Sequence, residues 1–123
     1  YRSRNRDGKY AEAENLGAPV NSAESDQDPF IAPDGSSLIV CLTGRPDSLG
    51  SYDLYVSFPE PDGSWSEPVN LGEGVNSPGA EFRPYVTGDG KYLFFTSPDP
   101  DADNRGRIFW VSSEVIRATR AGE

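Results

Sequence analysis

One stretch of this chain is written twice. Asp7-Gly8-Lys9-Tyr10, Asn15-Leu16-Gly17 and Asn21-Ser22 return as Asp62-Gly63-Ser64-Trp65, Asn70-Leu71-Gly72 and Asn76-Ser77, displaced by 55 positions. The displacement persists beyond that stretch: Pro29 matches Pro84, Asp34-Gly35 matches Asp89-Gly90, Leu38 matches Leu93, and Leu54-Tyr55-Val56-Ser57 matches Phe109-Trp110-Val111-Ser112. A period of this size, built from short strand-like runs separated by Asp-Gly turns, is the signature of a β-propeller blade.

The period decides how the length is read. With 123 residues the chain holds about 2.2 repeats, whereas propellers close with about four to eight blades. A repeat unit buries its apolar face only against its neighbours. The chain is therefore expected to be part of a longer ring or to complete a ring by homo-oligomerisation. Three copies would give six blades and two copies four.

Composition narrows the partners. A net charge of −9, with 20 acidic and 11 basic residues, opposes a phosphate-tracking surface or an anionic membrane. The apolar runs are too short to span a bilayer as a helix. The 13 Gly and 11 Pro fall at regular turn positions, so they punctuate strands and do not form a low-complexity tract. The single cysteine, Cys41, lies inside Leu38-Ile39-Val40-Cys41-Leu42 and reads as a small buried hydrophobe. With no histidine to activate it, a nucleophilic thiol is the poorer reading.

One full blade, 28–72, can be written as four strands. The first covers Pro29–Pro33 and turns at Asp34-Gly35; the second, Ser37–Leu42, is apolar throughout, as a strand buried on both faces must be. The third is Tyr52–Phe58, ending at the Asp62-Gly63 turn, and the fourth is Trp65–Leu71. Carried to both ends, the pattern makes Tyr10–Leu16 a fourth strand without a blade. It makes 84–112 an incomplete blade with strands Pro84–Thr87, Lys91–Thr96 and Arg107–Ser112. The fold class is thus all-β, with two four-stranded antiparallel blades in circularly permuted order over residues 1–113. A C-terminal tail, 114–123, is left as a short helix or a frayed end.

These elements resemble the WD-like repeats of TolB-type periplasmic propellers and related bacterial envelope proteins. The resemblance rests on Asp28-Pro29-Phe30-Ile31-Ala32-Pro33-Asp34-Gly35, Tyr52-Asp53-Leu54-Tyr55-Val56-Ser57 and Asp62-Gly63-Ser64-Trp65 with Asn70-Leu71-Gly72. The second copy departs from it at Thr87-Gly88-Asp89-Gly90 and Gly106-Arg107-Ile108-Phe109-Trp110. The resemblance implies a periplasmic or envelope location, a ring used as a binding platform, and closure by a strand from the N-terminus. Fold alone does not carry function.

Candidate chemistry is sparse. Ser-His-Asp and histidine-ligated metal sites are excluded by composition. Asp26 and Asp28 precede one innermost strand, and Glu81 and Arg83 hold the equivalent places before the next, so these four are the candidate ligand-binding residues at a channel rim. The competing reading is that their charges pair with one another. Asp99, Asp101 and Asp103 alternate along one hairpin loop and are the candidate Ca²⁺ ligands, the only cofactor the residues suggest; the competing reading is a solvated acidic loop. Trp65, Tyr55, Trp110 and Phe109 repeat at equivalent positions and are expected to serve packing. Tyr1-Arg2-Ser3-Arg4-Asn5-Arg6 is expected to be an exposed edge or hairpin.

The functional expectation is a non-enzymatic binding or interaction module of an envelope propeller, acting through a channel rim or loop surface on a protein or small-molecule ligand. The alternative is a fragment of a propeller enzyme acting on carbohydrate or peptide, with its catalytic residues elsewhere. A third reading is a repeat unit with no separate role.

Overall fold

In the computed structural model, residues 1–121 are described. Two antiparallel meanders follow one another along the chain, preceded by a small hairpin and followed by one helix. The hairpin pairs β1 (Asn5–Arg6) with β2 (Lys9–Tyr10). The first sheet runs β3 (Asp26–Ile31), β4 (Leu38–Leu42), β5 (Asp53–Ser57) and β6 (Val69–Asn70), each beside its sequence neighbour. The second sheet runs β7 (Phe82–Val86), β8 (Tyr92–Asp99) and β9 (Arg105–Ser112) and stops there, before α1 (Glu114–Ala121). The chain is all-β with antiparallel sheets.

Turn chemistry sets the hairpins. At each Asp-Gly the glycine adopts φ of +73 to +87°, a region open to a residue without Cβ, and at three of the four the aspartate side chain accepts the amide two residues on: Ser36 for Asp34, Ser64 for Asp62, Lys91 for Asp89. Sequence-expected strands coincide with these meanders, with shifts at their ends. β3 begins earlier than Pro29 because Asp26 and Gln27 pair with Leu42 and Cys41. The fourth strand shrinks from Trp65–Leu71 to Val69–Asn70, since Pro68 has no amide for the ladder, and Trp65 makes only an isolated bridge to Pro59. Of Tyr10–Leu16, only Tyr10 lies in a strand; Glu14 forms a bridge back to Arg2, so the N-terminal arginines are one arm of a hairpin.

Two layers of packing follow from the alternation of β4. Ile39 and Cys41 face the second sheet and share a core with Leu54, Val56, Phe58, Leu71, Val75, Leu93, Phe95 and Ile116. Leu38, Val40 and Leu42 face the other way and pack with Tyr55, Val20, Leu16 and Trp65. All five residues of β4 are buried, as its unbroken apolar sequence requires. Burial of each large side chain of this kind contributes about 1.5–3 kcal/mol. Ile116 inserts from α1 into the first of these clusters, so the tail expected over 114–123 is a helix over Glu114–Ala121 with one buried anchor, and residues 122–123 lie outside the described residues.

The repeat changes register once. The β4–β5 pairs Ile39↔Val56 and Cys41↔Leu54 correspond to Phe94↔Trp110 and Thr96↔Ile108 in β8–β9. β4 and β8 thus match at a displacement of 55, but β5 and β9 match at 54, because the connection from Ser97 to Arg107 is one residue shorter than that from Leu42 to Asp53. The sequence match of Leu54-Tyr55-Val56-Ser57 to Phe109-Trp110-Val111-Ser112 is corrected accordingly: the spatial equivalents are Ile108, Phe109, Trp110 and Val111. A one-residue slip exchanges the faces of a strand, and here it decides which side chains point outward. Trp110 is 61% exposed and Ile108 75% exposed, so Trp110 packs only edge-on against Tyr92 at the surface, whereas Tyr55 is fully buried.

Candidate functional site

The inner strands carry the charged candidates on a repeated irregularity. β3 bulges between Gln27 and Phe30, and β7 bulges at the equivalent place, between Phe82 and Tyr85. Within the bulges Asp28 and Arg83 adopt φ of 45° and 54°, a left-handed conformation uncommon for residues with a side chain. The backbone amide of Arg83 donates to Asp28 Oδ2 at 3.1 Å. Successive repeats are therefore joined at the bulge, and the expected charge pairing takes an unexpected form: the main chain of Arg83, not its guanidinium, meets Asp28. Among the described residues the Arg83 side chain forms no ion pair.

Asp26 and Glu81 have a different task. Asp26 accepts from the amide and hydroxyl of Ser22, each at 2.8 Å; Glu81 accepts from the amide and hydroxyl of Ser77 and from Ser97 Oγ at 3.3 Å. The two carboxylates are the same loop staple in consecutive repeats. Glu81 is fully buried, and burial pushes its carboxyl above the ordinary value despite the hydroxyl and amide donors that oppose the shift. Asp53, also fully buried, accepts from the amides of Leu49 and Gly50 and from Asn70 Nδ2. Its role is to close the β4–β5 loop against β6.

Sequence reasoning passed over the asparagines that complete this network. Asn70 Oδ1 accepts from Gly72 N and Asn76 Nδ2, and Asn15 Oδ1 accepts from Gly17 N and Asn21 Nδ2. Asn76, nearly buried, also exchanges two hydrogen bonds with the backbone of Leu54, standing in for a strand neighbour. The signal was present in the duplicated Asn-Leu-Gly and Asn-Ser pairs. Its meaning is architectural: the Asn–Gly turn and the Asn–Asn bond are made twice, and through Asn76 the second copy is pinned onto the first sheet.

The remaining candidates separate. Cys41 Sγ lies 3.1 Å from the carbonyl of Glu81, and burial, reinforced by Asp28, Glu81 and Asp53, pushes the thiol up to about 12. Such a group is not a nucleophile at neutral pH. Asp99 accepts from the amide of Asp101, capping the 3₁₀ turn Pro100–Ala102, and Asp103 takes a left-handed φ of 55° at its end. Among the described residues no group of three or more Cys, Asp or Glu side chains is arranged to hold a metal ion, so Asp99, Asp101 and Asp103 are not brought together. No helix among the described residues is long and apolar enough to cross a membrane.

Two clefts flank the first sheet. One, of about 720 Å³, lies between the Asp34 and Asp89 turns and α1, with Phe58, Arg117 and Arg120 on its walls. The other, of about 740 Å³, lies on the face of the first sheet turned away from the second, with Tyr1, Leu16, Ile31, Val40 and Trp65 on its walls. Asp26 reaches the second cleft; Asp28, Glu81 and Arg83 line neither. No family model, no curated protein and no solved structure matches the chain.

Proposed function

We propose that the chain is a non-enzymatic interaction module, its two meanders being successive blades of a bacterial envelope propeller that binds its ligand at the rim formed by Asp28 and Arg83. The observation that carries this reading is the repeated bulge. A left-handed residue with a charged side chain costs about 1–3 kcal/mol, and such conformations concentrate where a side chain must be aimed. Here the bulge recurs in both repeats and presents an acid from one and a base from the next at one edge of the stacked sheets. A ligand with both donors and acceptors, such as a peptide main chain or a sugar hydroxyl pair, matches that alternation.

The enzyme-fragment reading puts the catalytic residues elsewhere; a glycosidase site within this chain would need an accessible carboxylate pair across a cleft. The two fully buried carboxylates, Glu81 and Asp53, are instead occupied by loop amides and hydroxyls, which supports the binding reading. Titration of the ¹⁵N-labelled chain with a panel of short peptides and oligosaccharides tests it. The expected result is a saturable shift of amides around Asp28 and Arg83 that Arg83→Ala abolishes. Hydrolysis of any panel member, or shifts confined to residues away from the rim, would overturn it.

A further inference from the structure

The two sheets meet through a defined pair of faces. The first sheet offers Phe30, Ile39, Cys41, Leu54 and Val56; the second receives them on Val86, Leu93 and Phe95. Repeat equivalence transfers both halves of this contact to surfaces that no further sheet covers among the described residues, although Tyr85 touches Phe30 edge-on and Trp110 packs on Tyr92. On the second sheet, Tyr85, Phe94, Thr96, Ile108 and Trp110 stand where Phe30, Ile39, Cys41, Leu54 and Val56 stand on the first. Of these, Tyr85 is 55% exposed, with Ile108 and Trp110 more so. On the first sheet, Ile31 stands where Val86 stands on the second; it is 50% exposed and lines the 740 Å³ cleft. The connection Leu16 to Val20 already lies on that face, as Leu71 to Val75 lies on the equivalent face of the second sheet.

The strand inventory is complementary in the same sense. β9 is an eight-residue edge with no strand on its outer side among the described residues. The N-terminal hairpin matches the outer part of the first sheet: at a displacement of 55 its bridge Arg2↔Glu14 falls beside the Val56↔Val69 pair that joins β5 to β6. Asn15-Leu16-Gly17 repeats the Asn70-Leu71-Gly72 segment that closes the outer edge of the first sheet. A long, exposed, apolar edge otherwise invites disordered association.

We propose that a second copy of this chain seats the free face of its first sheet on the Tyr85, Ile108 and Trp110 face of this one, and lays its residues 12–16 along the open edge of β9. The contact is head to tail, because its two surfaces are different halves of an interface the chain already makes internally. This proposal does not depend on what the rim binds.

Two variants test it, each altering a side chain that is exposed in the single chain, so that folding is preserved. Trp110→Asp blocks the second-sheet face, and Ile31→Asp blocks the first-sheet face. In sedimentation velocity the parent is expected at two or three times 13.4 kDa, and each variant alone at 13.4 kDa, with its affinity for itself reduced about thirtyfold or more. A mixture of the two variants still holds one intact pair of faces and is expected to form a one-to-one complex. Far-ultraviolet circular dichroism and the thermal midpoint confirm folding; Ile108→Asp replaces Trp110→Asp if that variant fails. A monomeric parent overturns the proposal. So does an assembled parent whose two blocked variants form no complex, since that result marks a symmetric or nonspecific contact.

Discussion

The amide of Arg83 donates to the carboxylate of Asp28, and the two residues are one repeat apart. Each therefore shows what the other would do in the next repeat: Asp28 accepts from the unit that follows, and Arg83 donates to the unit that precedes. Asp28→Ala removes the acceptor and places alanine at φ 45°; the two effects together are expected to cost about 2 kcal/mol. Asp28→Asn keeps an acceptor oxygen and tolerates the left-handed backbone, so its cost is expected within about 0.5 kcal/mol. Urea midpoints at constant m distinguish the two.

Leu54 and Ile108 are spatial equivalents in opposite circumstances, one fully buried and the other 75% exposed. Leu54→Ala leaves a cavity in the shared core and is expected to cost about 2–5 kcal/mol. Ile108→Ala is expected to change the stability of the dilute chain by no more than about 0.5 kcal/mol. Equal costs at nanomolar concentration would refute the register that pairs Ile108 with Thr96.

Glu81 gives a pH dependence of one sign. Its folded carboxyl is raised above the ordinary 4.5, so the contribution is full below that value and declines as pH rises through the raised one. Glu81→Gln keeps the acceptor for Ser77 N and cannot ionise. The parent's thermal midpoint minus that of Glu81→Gln should therefore fall as the pH is raised from acid to neutral. Glu81→Ala, which strands the Ser77 and Ser97 groups, is expected to cost about 1–3 kcal/mol at acid pH, and less as the pH rises toward neutral.

The turn aspartates give the opposite sign. Hydroxyl and amide donors hold Asp34, Asp62 and Asp89 below the ordinary 3.8: Ser36 for Asp34, Ser64 for Asp62, and Thr87 with Lys91 for Asp89. Their contribution is present above the ordinary value and is lost as pH falls through the lowered one. The triple Asp→Asn variant should show a smaller drop in thermal midpoint than the parent between about pH 5 and pH 2.

Much of the fold was legible because the repeat repeats its reasons. Asp-Gly turns, the five apolar residues of β4 and the duplicated Asn-Leu-Gly each dictate one local structure wherever they occur. The slip between β5 and β9 was not legible, because it arises from the length of a connection and leaves the apolar pattern of Ile108, Phe109, Trp110 and Val111 equally plausible in either register. At the candidate site, sequence position assigned Asp28 and Arg83 equivalent places in successive repeats, and the contact between them runs through the Arg83 amide. It could not reveal that Asp26 and Glu81 are held by Ser22 and Ser77, since a carboxylate that staples a loop and one that awaits a ligand are the same residue on paper.

The central claim is that the second sheet is one strand short and receives that strand from another copy. Hydrogen–deuterium exchange of β9, read amide by amide at a concentration where the chain assembles, tests it most directly. The predicted result is protection of the Arg105–Ser112 amides that face away from β8, lost on dilution and in Trp110→Asp. Free exchange of those amides in the assembled protein, with the β8-facing amides still protected, would contradict it.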